Sequence, residues 1–136
     1  YRIAEDTWGY RLQFPKPLER PVAAAWLEEI REELVLAPAS FHVLMDMRVQ
    51  KKITPATLRS LDEGLELCRG TGMTRLALVT NGGPATKDLQ KLIQPRGCDE
   101  GRRRIDGRLS DWEEMAMGWL LMRIEPDASA EVAAGS

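Results

Sequence analysis

The 136-residue chain predicts an α/β fold, a mixed but mostly parallel sheet of four to five strands with four helices. Three observations carry that expectation. Two short apolar runs, "FHVLMDMRV" (41–49) and "TRLALVTN" (74–81), lie mid-chain and read as central strands buried on both faces. Segments with apolar residues one helical turn apart alternate with them. Proline and glycine punctuate the junctions. Strands alternating with helices demand right-handed crossovers, and hence parallel pairing.

Each element follows in order. Residues 1–5 and 9–14 of "YRIAEDTWGYRLQF" form a hairpin around Asp6 and Thr7. "FPKPLERP" then ends any strand, because proline cannot donate to a ladder. From Val22 to Leu36, the positions Val22, Trp26, Leu27, Ile30 and Leu34 make an apolar stripe between Glu28, Glu29, Arg31, Glu32 and Glu33. Residues 41–49 form the first inner strand. From Thr54 to Arg69, Leu58, Leu61, Leu65 and Cys68 define a second amphipathic helix. Thr54 is its N-cap candidate, and Pro55 takes the first helical position, where a missing N–H costs nothing. Gly70 and Gly72 end it. After the strand 74–81, Gly82-Gly83-Pro84 turns the chain into a short helix, Ala85 to Ile93. That helix carries Leu89, Leu92 and Ile93 inward and stops at Pro95 and Gly97. "RRRIDG" (102–107) is a weak strand whose arginines suit an exposed sheet edge. In "SDWEEMAMGWLLM", Ser110 or Asp111 caps a last helix with Trp112, Met115, Ala116, Trp119 and Leu120 facing in. The single domain spans 1–125, and 126–136 reads as a flexible tail.

Composition narrows the function classes. A hydrophobic content of 43% with 29% charged residues is ordinary for one globular domain. No apolar run approaches the length of a membrane span, and nothing in a chain that begins at Tyr1 resembles a leader. His42 is the only histidine, and Cys68 and Cys98 have no metal-like spacing. A zinc site or a His-based triad is therefore disfavoured, an enzyme is not expected, and no cofactor is implied. Two free thiols fit a reducing cytoplasm.

The net charge of −2 is uneven. Residues 41–108 hold 13 Lys+Arg against 8 Asp+Glu, whereas 109–136 hold only Arg123 against six acids. Either a basic surface faces an acidic terminal helix, or these are solvated faces. The cluster Arg102, Arg103, Arg104 and Arg108 reads as a solvated edge rather than a nucleic-acid surface. The isoelectric point of 5.5 is acidic, and no aromatics interleave the arginines. "TNGGPATKD" comes nearest to a phosphate-binding turn, with Gly82 and Gly83 before a helix start, but it lacks both glycine-rich fingerprints. Cys98, near Arg96 and Arg102, reads as an unreactive loop cysteine. His42 reads as structural, and Trp112 and Trp119, seven apart, as core. Asp46 has two readings. It is hydrogen-bonded to backbone or paired with Lys51 or Arg48, or it is a carboxylate at a ligand-binding mouth.

Three pieces carry a family likeness. They are "VLMDMR" with its loop to a helix cap, "RLALVTNGG" with its short helix, and the terminal "SDWEEMAMGWLL". Together with the order β-β-α-β-α-β-α-β-α they resemble the STAS domain, in its SpoIIAA-like (anti-sigma-factor antagonist) branch, over about residues 1–122. The resemblance implies a bacterial, cytoplasmic, non-enzymatic regulatory module that binds a protein such as an anti-sigma factor or a kinase-like regulator. In that family a phosphorylatable Ser or Thr starts the helix after the central strand. Counted from Asp46 that position is Thr54, with Thr57 the second candidate phosphosite, although "ITPAT" replaces the family's Asp-Ser-Ser/Thr-Gly. The implied partner surface is Lys51, Lys52, Thr54, Thr57 and Ser60, with Asn81 beside it. The lysines favour an acidic partner. The alternative is a small-ligand or lipid-binding domain with an apolar crevice near Asp46 and Asn81. The oligomeric state is left open, a homodimer included.

Overall fold

The computed structural model describes residues 1–93 and 101–126. The expectations for Pro95, Arg96, Gly97 and Cys98, and for the tail beyond residue 126, lie outside the described residues. Strand β1 (Arg2–Asp6) pairs with β2 (Gly9–Gln13), followed by α1 (Arg20–Glu33) and a 3-10 turn at Leu34–Leu36. Then come β3 (Phe41–Asp46), α2 (Pro55–Thr71) and β4 (Met73–Thr80). Helix α3 (Pro84–Leu89) runs into a 3-10 turn at Gln90–Leu92, and β5 (Arg102–Asp106) leads to α4 (Trp112–Met122).

The five strands lie side by side in chain order. β1 is antiparallel to β2, and the other three pairings are parallel. This order dictates the layers. Each parallel strand is added on the same side of the last, so three right-handed crossovers stack α1, α2 and α3 on one face. There Tyr10, Leu12, Val43, Met45, Leu76 and Leu78 meet Trp26, Ile30, Leu61, Leu65 and Leu89. Helix α4, coming after the last strand, returns over the other face, where Ala116, Trp119 and Leu120 pack on Leu44, Ala77, Val79 and Ile105. Both faces of β3 and β4 are thus covered, which is why their sequences show no polar alternation.

Local chemistry sets the boundaries. The Thr54 hydroxyl accepts from the Thr57 N–H at 3.2 Å, so the expected cap of α2 is present. Gly70 does not end that helix. It sits inside the last turn, and the chain breaks at Gly72, whose φ of 145° suits glycine alone. β3 stops at Asp46 rather than at residue 49, because the Asp46 side chain accepts the Arg48 N–H at 3.1 Å and turns the backbone. Asp111 occupies the N-cap position of α4 without a side-chain cap bond.

The largest correction concerns the arginines of β5. The strand is an edge, as expected, with Arg108 exposed and Arg103 and Arg104 partly so, but Arg102 is not solvated. Arg102 is only 3% exposed, and its Nη1 donates to the Leu92 carbonyl at 2.7 Å. Arg103 lies over the Trp119 ring at 4.4 Å and bonds Glu125 at 2.8 and 3.0 Å. Arg102 is covered from the α3 side and Arg103 from α4, while Arg104 and Arg108 keep contact with solvent. The acids near the chain end also meet basic residues, since Arg11 reaches Glu113 at 3.1 Å.

Candidate functional site at the carboxyl edge of the sheet

The loops leaving β3, β4 and β5 gather at one end of the parallel sheet, where open α/β folds place their ligands. Two of them begin with the same device. At the end of β3, Arg48 donates to Asp46 from its backbone N–H (3.1 Å), Nε (3.0 Å) and Nη2 (2.9 Å). At the end of β5, Arg108 donates to Asp106 from the same three groups at 3.0, 3.0 and 2.9 Å. Burial alone would raise the Asp46 carboxyl, but the hydrogen bonds and charge of Arg48 outweigh it and hold the group below the ordinary aspartate range. The hydrogen bonds of Arg108 hold Asp106 low in the same way.

The two hooks flank β4 and are tied to it. The Met47 N–H donates to the Val79 carbonyl at 2.9 Å, and the Gly107 N–H to that of Thr80 at 2.7 Å. Glycines make room for the arginine stems. A Cβ on Gly107 would stand 2.5 Å from Arg48 Cγ, and one on Gly82 would stand 2.5 Å from Arg108 Cζ. Arg48 then extends over the Trp112 ring at 4.0 Å, a cation–π contact that joins the β3 loop to α4.

Between the hooks, Asn81 braces the loop before α2. Its Nδ2 donates to the carbonyls of Arg48 and Gln50, both at 2.9 Å, while its Oδ1 accepts the Gly83 N–H at 2.8 Å. Gln50 is 1% exposed. Its Oε1 accepts from the Leu18 N–H at 3.2 Å, and its Nε2 donates to the Pro15 carbonyl at 2.6 Å. Met47 and Ile53 are buried on either side. The loop 47–54 is therefore pinned from beneath, and it turns Lys51, Lys52 and Thr54 outward. Lys16 is exposed as well, and the neighbouring Lys51 lowers its pKa. A hollow of about 210 Å³ opens beside them, lined by Thr54, Pro55, Leu58 and Arg59 with Asp88 and Lys91 opposite.

The expected site residues divide accordingly. Lys51, Lys52 and Thr54 share one exposed surface. Thr57 is fully buried, its hydroxyl bonded by that of Thr54 at 3.0 Å, so it is out of a partner's reach. Ser60 is half-buried and its Oγ donates back to the Ala56 carbonyl at 3.4 Å. Asp46 pairs with Arg48, the first of its two readings, and the amide of Asn81 is engaged at both ends. Neither residue lines the hollow beside Thr54. His42 lies at the opposite end of β3 and shares a 2.7 Å hydrogen bond with the Thr74 hydroxyl. Burial and then Arg75 lower its pKa. Gln50 is the residue that sequence reasoning missed. Its only signal is a glutamine between hydrophobic and basic residues, which is equally common in solvent-facing loops.

Among the described residues, no helix is long and apolar enough to cross a membrane, and no group of three or more His, Cys, Asp or Glu side chains could hold a metal ion. No family model, curated protein or solved structure matches this chain.

Proposed function

We propose that the chain is a non-enzymatic binding module that resembles STAS domains and docks an acidic protein partner on the loop and helix start at residues 50–60. The observation that carries this reading is the braced loop. Asn81 and the buried Gln50 hold its backbone, while Lys16, Lys51 and Lys52 present positive charge to solvent. A loop ordered before binding loses little entropy when a partner arrives, and its charge raises the encounter rate. Thr54, exposed at the N-terminus of the 17-residue α2, is the candidate phosphosite of that surface. A phosphate there would sit at the positive end of the helix and reverse the local charge. The reading places the protein in the bacterial cytoplasm with an anti-sigma factor or a kinase-like regulator as partner class.

Affinity capture from the native cell extract tests it, with wild type, the double variant K51E/K52E and Thr54→Glu as baits. The reading expects a stoichiometric acidic partner on wild type and its loss from K51E/K52E. Loss from Thr54→Glu as well supports the switch. A partner that stays on K51E/K52E moves the interface elsewhere, and no partner on any bait ends the module reading.

A further inference from the structure

The loops after β4 and β5 leave for opposite faces of the sheet, to α3 and to α4. Adjacent strands that diverge in this way open a crevice beyond their carboxyl ends. Here it is a broad, open hollow of about 670 Å³. Lys87, Lys91, Arg104 and Arg108 line it together with Gly82 and Thr86, and no Asp or Glu is among its described lining residues. Asp88 lies 3.7 Å from Lys91, and Asp106 holds Arg108 at 2.9 Å. Among the described residues, these carboxylates balance two of the four cations and leave the lining positive. Arg104 Nη1 makes a long 3.5 Å contact to the Thr80 hydroxyl and no other hydrogen bond among the described residues. The Thr86 hydroxyl is buried without a hydrogen-bond partner among the described residues.

The geometry points to a second binding site in this crevice, for a small phosphate ester carrying more than one phosphoryl charge. The reasons are chemical. Guanidinium groups match phosphoryl oxygens in a planar, two-pronged geometry, and lysines add charge. The Asp106 hook fixes Arg108 before any ligand arrives. Arg104 and Lys87 have donors to spare among the described residues. The Arg108 guanidinium lies on the bare Gly82 backbone, where a Cβ would stand 2.5 Å from its Cζ, so glycine lets it enter the crevice wall. Lys51 and Lys52 take no part, so the site is distinct from the partner surface proposed above, although Lys91 lines both this crevice and the hollow beside Thr54.

Titration calorimetry at low salt with inorganic pyrophosphate tests the assignment on wild type, Arg104→Gln, Lys87→Glu and K51Q/K52Q, each checked for folding by circular dichroism. Removing one charge-assisted contact should weaken binding about tenfold, whereas K51Q/K52Q should stay within about twofold of wild type. Lys87 is exposed, so its variant remains informative if Arg104→Gln fails to fold. A parallel sedimentation with phosphatidylcholine vesicles, with and without phosphatidic acid, separates two sources of the same group. Pyrophosphate binding assigns a free, soluble phosphoryl ligand, and binding only to phosphatidic acid vesicles assigns a lipid headgroup. Binding to neither overturns the site. So does an equal loss in K51Q/K52Q, which would mean diffuse attraction to a basic surface.

Discussion

Arg48 and Arg108 are held in the same way, each by an aspartate two residues earlier at the end of a parallel strand, and each donates three hydrogen bonds. The register explains the match. Asp46 lies beside Val79 and Asp106 beside Thr80, so the two hooks close on β4 from both sides. They set the direction in which three loops leave the sheet.

The hooks predict a pH dependence. The folded pKa of Asp46 is lowered, so its contribution is present above the ordinary aspartate value of 3.8 and is lost as pH falls through the lowered value. Asp46→Asn should cost about 1–2 kcal/mol near neutral pH, below the range for fully buried pairs because Arg48 keeps one side in water. Urea unfolding at several pH values checks this. The gap between wild type and variant should narrow as the solution is acidified below that value. A gap that stays constant into strong acid would show that the carboxylate charge contributes nothing.

Gly64 reverses a rule of helix design. A glycine inside an exposed helix gains about 1 kcal/mol when changed to alanine. Here the new Cβ would run into the six-membered ring of Trp26, which is fully buried against the α2 backbone. Gly64→Ala should therefore destabilise, by about 1–3 kcal/mol. Pairing it with Trp26→Leu should recover part of that loss in a double-mutant cycle. Additive losses would place the ring elsewhere.

The Thr54 cap predicts a ranking. Thr54→Ala should lose about 1 kcal/mol, while Thr54→Ser and Thr54→Asp, which also cap, should stay near wild type. Thermal unfolding reads this directly. A Thr54→Ala protein as stable as wild type would mean that the 3.2 Å bond to Thr57 adds nothing to folding.

Cys68 should be inert. Burial pushes its thiol up to about 12, with Arg102 pulling only weakly the other way. In a Cys98→Ser background Cys68 is the sole thiol, and a thiol reagent at about pH 8 should label it no faster than the protein opens. Labelling of the native protein at the rate of a free cysteine would contradict its placement at 0% exposure on the buried face of α2.

Much of the fold is legible locally. The strands β3 and β4 announce themselves because residues buried on both faces leave no room for polar alternation. The helices α1 and α2 do so through stripes such as Trp26–Ile30 and Leu61–Leu65–Cys68. Thr54-Pro55 marks a helix start, because a threonine oxygen and a missing N–H both suit the first turn. The pairing of Asp46 with Arg48 was also among the readings open from sequence alone.

The sequence by itself determined the alternation of elements, the inward faces of the helices and the cap of α2, because these depend on periodicity and on chemistry within a few residues. Tertiary structure decided what depends on neighbours distant in the chain. It buried Arg102 under the α3 side, closed Thr57 behind Thr54, placed Gln50 beneath its loop and set Trp26 on Gly64. It also brought Arg104 and Arg108 to Lys87 and Lys91 at one end of the sheet. A charged side chain on an edge strand looks solvated until the helices that cover it are placed. An Asp-x-Arg triplet is a common run of residues until a strand ends at its aspartate. Both outcomes follow from the right-handed crossovers, which put three helices on one face and left α4 to cover the other.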